Sequence, residues 1–173
     1  MSENLEEILR KAESGDAESQ YRAGYAYAVG EGTDKDYSKA MHWYSKAAEQ
    51  GHAEAENAVG ELYHSGCGVE ADFSKAMEHY LRSSELGSND AMLNIGILYE
   101  FGMGVEQSYG KASEWFERSS GLGNTWAMLR LGKLFEDGRG TEKSAEKALA
   151  LYEKAESMGN PAASKEIQRL KQI

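Results

Sequence analysis

The chain has 173 residues, of which 40% are hydrophobic and 28% charged, with 17 aromatic side chains and a net charge of −10. Its mean hydropathy is −0.65, and the aromatic bulk is enough to fill a core, which argues against a disordered chain. No apolar run approaches the roughly 20 residues that span a bilayer, the negative charge disfavours a nucleic-acid-binding surface, and one cysteine, Cys67, excludes an internal disulfide framework or a multi-thiolate zinc site.

Residues 1–16, MSENLEEILRKAESGD, are acidic and amphipathic and lack the basic-then-apolar profile of a secretory signal. Together with the absent disulfides, this makes the cytoplasm the expected compartment. Residues 17–29, AESQYRAGYAYAV, read as a helix that follows Asp16. GEGTDKD is a turn, in which glycine permits the positive φ that ends a helix. YSKAMHWYSKAAEQ is a second helix, capped by Asp36 and stopped at Gly51.

Every feature then returns after 36 residues. Gly24, Gly60, Gly96 and Gly132 keep that spacing, as do the series that begin at Gly30, Gly32 and Gly15, and together these hold 17 of the 19 glycines. Tyr27, Tyr63, Tyr99 and Phe135 are equivalent, and so are Tyr44, Tyr80, Phe116 and Tyr152. The Lys39-Ala40 pair recurs at Lys75-Ala76, Lys111-Ala112 and Lys147-Ala148. The units are residues 17–52, 53–88, 89–124 and 125–160, each a helix, a turn and a helix, with no insertion or linker. Asp72, Ser108 and Ser144 can cap the later second helices, and Ser88, Asn124 and Asn160 the later first helices, with Pro161 suited to a first turn.

The Gly24 series lies inside helices, where glycine costs about 1 kcal/mol against alanine. Its persistence predicts close approach of two helix backbones, with no room for a side chain. At the ends, Leu5, Ile8 and Ala12 hold the places of Met41, Tyr44 and Ala48, so residues 1–16 read as a lone second helix that caps the array. Residues 161–173 read as a lone first helix, in which Gln168 replaces the glycine and Lys171 the aromatic, as a polar outer cap requires.

The unit AESQYRAGYAY…GEG…DYSKAMHWYSKAAEQG resembles the Sel-one-like repeat, a 36-residue relative of the tetratricopeptide repeat, over about residues 5–172. The resemblance implies an all-α, right-handed α/α superhelix, a single solenoid domain. It implies scaffold or adaptor work in protein complexes, chiefly in bacteria, with the first helices lining the concave face. Some secreted relatives are cysteine-rich and linked to β-lactams. The lone Cys67 does not support that subgroup, and the family has no shared catalytic residues.

Positions that vary between units are free of the repeated packing. In the first helix they include Glu18/Glu54/Asp90/Trp126, Tyr21/Asn57/Leu93/Leu129, Tyr25/Glu61/Ile97/Lys133, Ala28/His64/Glu100/Glu136 and Val29/Ser65/Phe101/Asp137. Most lie three or four residues apart, hence on one helical face. The candidate partner-binding residues are Tyr21, Tyr25, Glu61, His64, Ile97, Phe101, Trp126 and Lys133, with docking expected across Tyr25, Ile97 and Trp126. For Leu93, Leu129 and Tyr21, packing between neighbouring helices is the competing reading. Residues 53–88 carry two basic and seven acidic side chains and residues 89–124 two and five, so a basic partner surface suits the middle of the chain.

Chemistry has little to work with. Glu61 and His64 have an E-x-x-H spacing, but the equivalent pairs are Ile97/Glu100 and Lys133/Glu136, so a di-iron set is not formed. Cys67 reads as an exposed free thiol, and His42 and His79 as surface or packing residues. Glycine-rich nucleotide fingerprints are missing. The expected protein is non-enzymatic, with no cofactor, metal, nucleic acid or membrane, and binds another protein or a peptide. A cognate inhibitor of a secreted bacterial toxin is the alternative, and a β-lactam-hydrolysing enzyme the less favoured one.

Overall fold

A computed structural model describes residues 4–172. Among them are ten α-helices and no strand: α1 (Leu5–Glu13), α2 (Ala17–Val29), α3 (Tyr37–Glu49), α4 (Ala53–Ser65), α5 (Phe73–Glu85), α6 (Asn89–Phe101), α7 (Tyr109–Gly121), α8 (Thr125–Asp137), α9 (Ala145–Ser157) and α10 (Ala163–Leu170). The contacts divide the chain into two compact units, Met1–Ser88 and Asn89–Ile173. In the first, α1 to α5 pack each against the next, and in the second α6 to α10 do the same.

Local chemistry sets the helix ends. Asp16, Asp36, Asp72, Ser108, Asn124 and Ser144 each accept a backbone N–H from the first turn they precede. His52 does the same through Nδ1, 3.3 Å from the Ala55 nitrogen, a cap that residue type alone did not suggest. Gly30, Gly66 and Gly138 close α2, α4 and α8 in the left-handed region. The C-terminal helix starts later than expected, at Ala163. Asn160 accepts from the Ala162 N–H, two residues on, and donates to Thr125 Oγ1, so Pro161 lies in a turn ahead of the helix.

The mid-helix glycines make room for a ring, a source of crowding that the expectation of close backbones did not name. A Cβ on Gly24, Gly60 or Gly132 would lie 2.5–2.6 Å from the nearest ring carbon of Tyr44, Tyr80 or Tyr152, and one on Gly96 would collide with Phe116. At Gly60 the Ala76 backbone oxygen is also close, at 3.3 Å. Each ring comes from the second helix of the same hairpin, so the glycine and aromatic series form one lock.

The Lys-Ala pairs serve a second lock. Ala40, Ala76, Ala112 and Ala148 are fully buried. The preceding lysines stand over the rings of Tyr27, Tyr63, Tyr99 and Phe135, with Nζ 5.1–5.2 Å from each centroid. The alanine seals the hairpin, and the lysine covers the aromatic rim while its charge stays in water. In two hairpins a buried serine adds a tie, Ser83 Oγ to the Ala53 carbonyl and Ser119 Oγ to the Asn89 carbonyl, both at 2.7 Å.

Candidate protein-binding surfaces

In the first unit, α2 and α4 carry Tyr21, Tyr25, Glu61 and His64. Tyr25 is 48% exposed. With Tyr21, Leu5, Ile8 and Arg22 it lines a cavity of about 570 Å³ between α1 and α2. Tyr21 is half-buried, its ring stacked on His52 at 4.8 Å and tilted against Tyr44 at 5.6 Å. Burial, then the charges of Glu54, Glu61 and Glu18, raise its phenol above the ordinary range. Tyr21 is therefore as much core as surface. Glu61 is exposed and accepts from Asn57 Nδ2 at 2.8 Å.

His64 is turned inward. Its ring meets Phe73 edge-on at 5.4 Å, and Nδ1 lies 3.4 Å from the Tyr80 hydroxyl. Burial lowers its pKa, so the ring is neutral at pH 7. Glu61 and His64 thus have separate partners. Among the described residues no group of three or more His, Cys, Asp or Glu is placed to hold a metal ion. Cys67 was expected on the surface, but it is half-buried and packs against the Tyr44–Val59 core.

In the second unit, α6 and α8 carry Ile97, Phe101, Trp126 and Lys133. Trp126 and Phe101 are 55% and 52% exposed. Ile97 is half-buried against the Phe116–Leu131 core and offers only part of its surface. Leu93 packs against the same core, and Leu129 against Met128 and Tyr152. Trp126 stands where the other units carry a carboxylate. At its position Glu18 accepts from His52 and Asp90 from Asn124, each tying one hairpin to the next. Trp126 cannot accept, and Asn160 turns to Thr125 instead. The indole is left in solvent beside a cavity of about 450 Å³, which Glu100, Arg130, Lys133, Tyr152 and Arg169 also line.

The charged wall of that cavity escaped sequence reasoning in its details. Arg169 donates to both Glu136 oxygens, at 2.6 and 2.5 Å, and to Glu166 at 2.9 Å. Glu136 also accepts from Tyr152 and Lys133, at 3.2 Å each. The Arg169 hydrogen bonds lower its carboxyl to about 2. Arg130 lies over the Phe101 ring at 5.6 Å and reaches Glu100 at 3.3 Å. Glu100 and Glu136 occur among the variable positions, but their partners do not repeat, so no period announced them.

The pattern of the Sel1 repeat family matches residues 17–52, 53–88, 89–124 and 127–160. The chain belongs to the Sel1 repeat family. Its structure is similar to that of c5321, a protective antigen of uropathogenic Escherichia coli strains with an SLR fold. The two are 34% identical with a TM-score of 0.87, over 94% of this chain and 35% of the other. A Sel1 repeat protein from Oxalobacter formigenes is 33% identical with a TM-score of 0.90, over 94% and 65%. The immunity protein Pa5087 from Pseudomonas aeruginosa is 29% identical with a TM-score of 0.65, over 87% and 56%.

This Sel1 repeat chain spans about a third to two thirds of the length of those proteins. Sel1 repeat proteins are helical-repeat folds that generally act as protein-interaction scaffolds and are typically non-catalytic. Among the described residues, no helix is long and apolar enough to cross a membrane.

Proposed function

We propose that this chain is a non-enzymatic adaptor or regulator, which binds a partner protein or peptide through the variable face of its first helices. The observation that carries this reading is the exposure of Trp126 and Phe101 on α8 and α6, and of Tyr25 on α2, at positions the repeated packing does not use. Large aromatic side chains of this kind are the usual anchors of interfaces. The net charge of −10 favours a protein partner with basic surface over nucleic acid. The half-buried, unpaired Cys67 thiol suits a reducing compartment such as the cytoplasm.

Affinity capture with the wild type, with Tyr25→Ala and with Phe101→Ala/Trp126→Ala tests the reading, followed by a binding isotherm on each purified partner. At least one partner should be lost with an aromatic variant that retains wild-type helicity. Partners that bind all three proteins alike would overturn it.

The likeness to the immunity protein Pa5087 favours a second reading, a cognate inhibitor of a toxin. That reading requires one near-stoichiometric partner, very tightly held, whose toxic activity falls when this chain is added. Many weak partners would return the choice to an adaptor.

A further inference from the structure

Glu100 and Glu136 hold the same place in successive first helices, 36 residues apart, yet their surroundings differ in kind. Glu136 receives Arg169 on both oxygens, Lys133 from its own helix and the Tyr152 hydroxyl from the paired second helix. Moving each donor back by 36 gives Lys133, Ile97 and Phe116 around Glu100. Ile97 and Phe116 have nothing to donate. Lys133 is turned away, 3.2 Å from both Glu136 and Asp137. Elsewhere this position is matched to its ring: Tyr80 meets His64, Tyr152 meets Glu136, and Ala28 makes no demand of Tyr44. Glu100 over Phe116 is the mismatch.

What Glu100 retains is Arg130 at 3.3 Å, and its side chain is only 14% exposed. Burial outweighs the attraction of Arg130 and Arg139 and raises its pKa, whereas the equivalent Glu136 is lowered. The cations nearby are already engaged: Arg130 with Glu100, Lys133 with Glu136 and Asp137, and Arg169 with Glu136 and Glu166. Glu100 opens on the same cavity as the exposed Trp126 indole. An aromatic face beside a carboxylate short of donors suits a planar cation, which can stack and donate two parallel N–H bonds.

We propose that this cavity takes an arginine side chain of a partner, its guanidinium laid on Trp126 and hydrogen-bonded to Glu100. The inserted arginine does for Glu100 what Arg169 does for Glu136. This rests on the protein-binding reading above and gives it a partner chemistry.

The test uses acetylated, amidated pentapeptides Gly-Gly-Xaa-Gly-Gly, with Xaa arginine, lysine, citrulline or aspartate. The whole chain is followed by the Trp126 indole N–H resonance, assigned with Trp126→Phe. The arginine peptide should produce a saturable shift. Lysine should bind more weakly, and citrulline, which keeps the shape without the charge, at least fivefold more weakly. Glu100→Gln should weaken arginine binding at least fivefold. Phe116→Tyr, which copies Tyr80 and Tyr152 and supplies the missing hydroxyl, should weaken it too. No saturation by 20 mM arginine peptide, an aspartate peptide that binds as well, or arginine binding untouched by Glu100→Gln would each overturn the proposal. Capture of a partner that depends on Trp126 but not on Glu100 would sink this inference alone, and capture that depends on neither would remove the underlying reading.

Discussion

The ring of Tyr80 lies against Gly60 so closely that a Cβ on the glycine would stand 2.6 Å from ring carbon Cε1. The ring is fully buried and cannot swing out without leaving a void. Gly60→Leu should therefore destabilise the protein by about 1–3 kcal/mol or more, despite the better helix propensity of leucine. Gly121, the last residue of α7, has nothing within 4 Å of its would-be Cβ. Alanine can adopt its backbone conformation, so Gly121→Ala should stabilise by about 0.4–1 kcal/mol by restricting the unfolded chain. Urea denaturation of the two variants reads the contrast, and equal midpoints would refute the glycine–ring lock.

Much of this architecture is legible because the repeat performs its own controls. Four copies of a costly glycine announced a steric need, though not its source. The glycine pattern alone cannot distinguish a ring from a backbone, and the partner series at Tyr44 lay twenty residues away without a marked link. The helix caps followed from residue type at Asp36, Asp72, Ser108 and Ser144. His52 did not, because its capping depends on how the ring is turned, with Nδ1 toward the Ala55 N–H. Among the candidate binding residues, variability marked positions but not orientation. Trp126 and Phe101 are exposed, while Tyr21, His64 and Ile97 partly serve packing. The Glu136–Arg169 clamp occurs once, and a feature without copies gives a periodicity argument nothing to compare.

The lysine of each Lys-Ala pair should be worth a measurable amount as a cation over a ring. Lys75 Nζ lies 5.2 Å from the Tyr63 centroid, with Asp72 at 3.7 Å as its other partner. Lys75→Gln should cost about 0.5–1 kcal/mol, whereas Lys75→Arg should stay near wild type. Adding Tyr63→Leu to each completes a double-mutant cycle. A coupling energy of zero would make the lysine a solubility residue that happens to lie over a ring.

Trp126 makes the opposite case, a large side chain that the fold does not need. Its position holds a carboxylate in every other hairpin, and the inter-repeat hydrogen bond has already moved to Thr125. Trp126→Ala should change the melting midpoint little, by less than about 0.5 kcal/mol in stability. If it anchors the partner, the same substitution should weaken binding by about 2 kcal/mol, roughly 30-fold. Calorimetry on both properties separates them, and a large loss of stability would place Trp126 in the core instead.

The two equivalent glutamates should move acid stability in opposite senses. Glu136 titrates at about 2, held down by Arg169, so the unfolded chain binds its proton first. Its contribution is present above the ordinary carboxylate range and is lost as pH falls from about 4.5 toward 2. Glu136→Gln should therefore be less stable than wild type at pH 7, with a flatter fall in that acid window. Glu100 is raised by burial, so its charged form is the costly one when folded. That cost is present at neutral pH and disappears as the carboxyl is protonated. Glu100→Gln should be as stable as wild type or more stable at pH 7, and the advantage should vanish in acid. Urea midpoints for the three proteins from pH 7 to pH 3 give both signs. A Glu100→Gln variant less stable than wild type at pH 7 would mean that Arg130 fully compensates the carboxylate, leaving no deficit for a partner's arginine to fill.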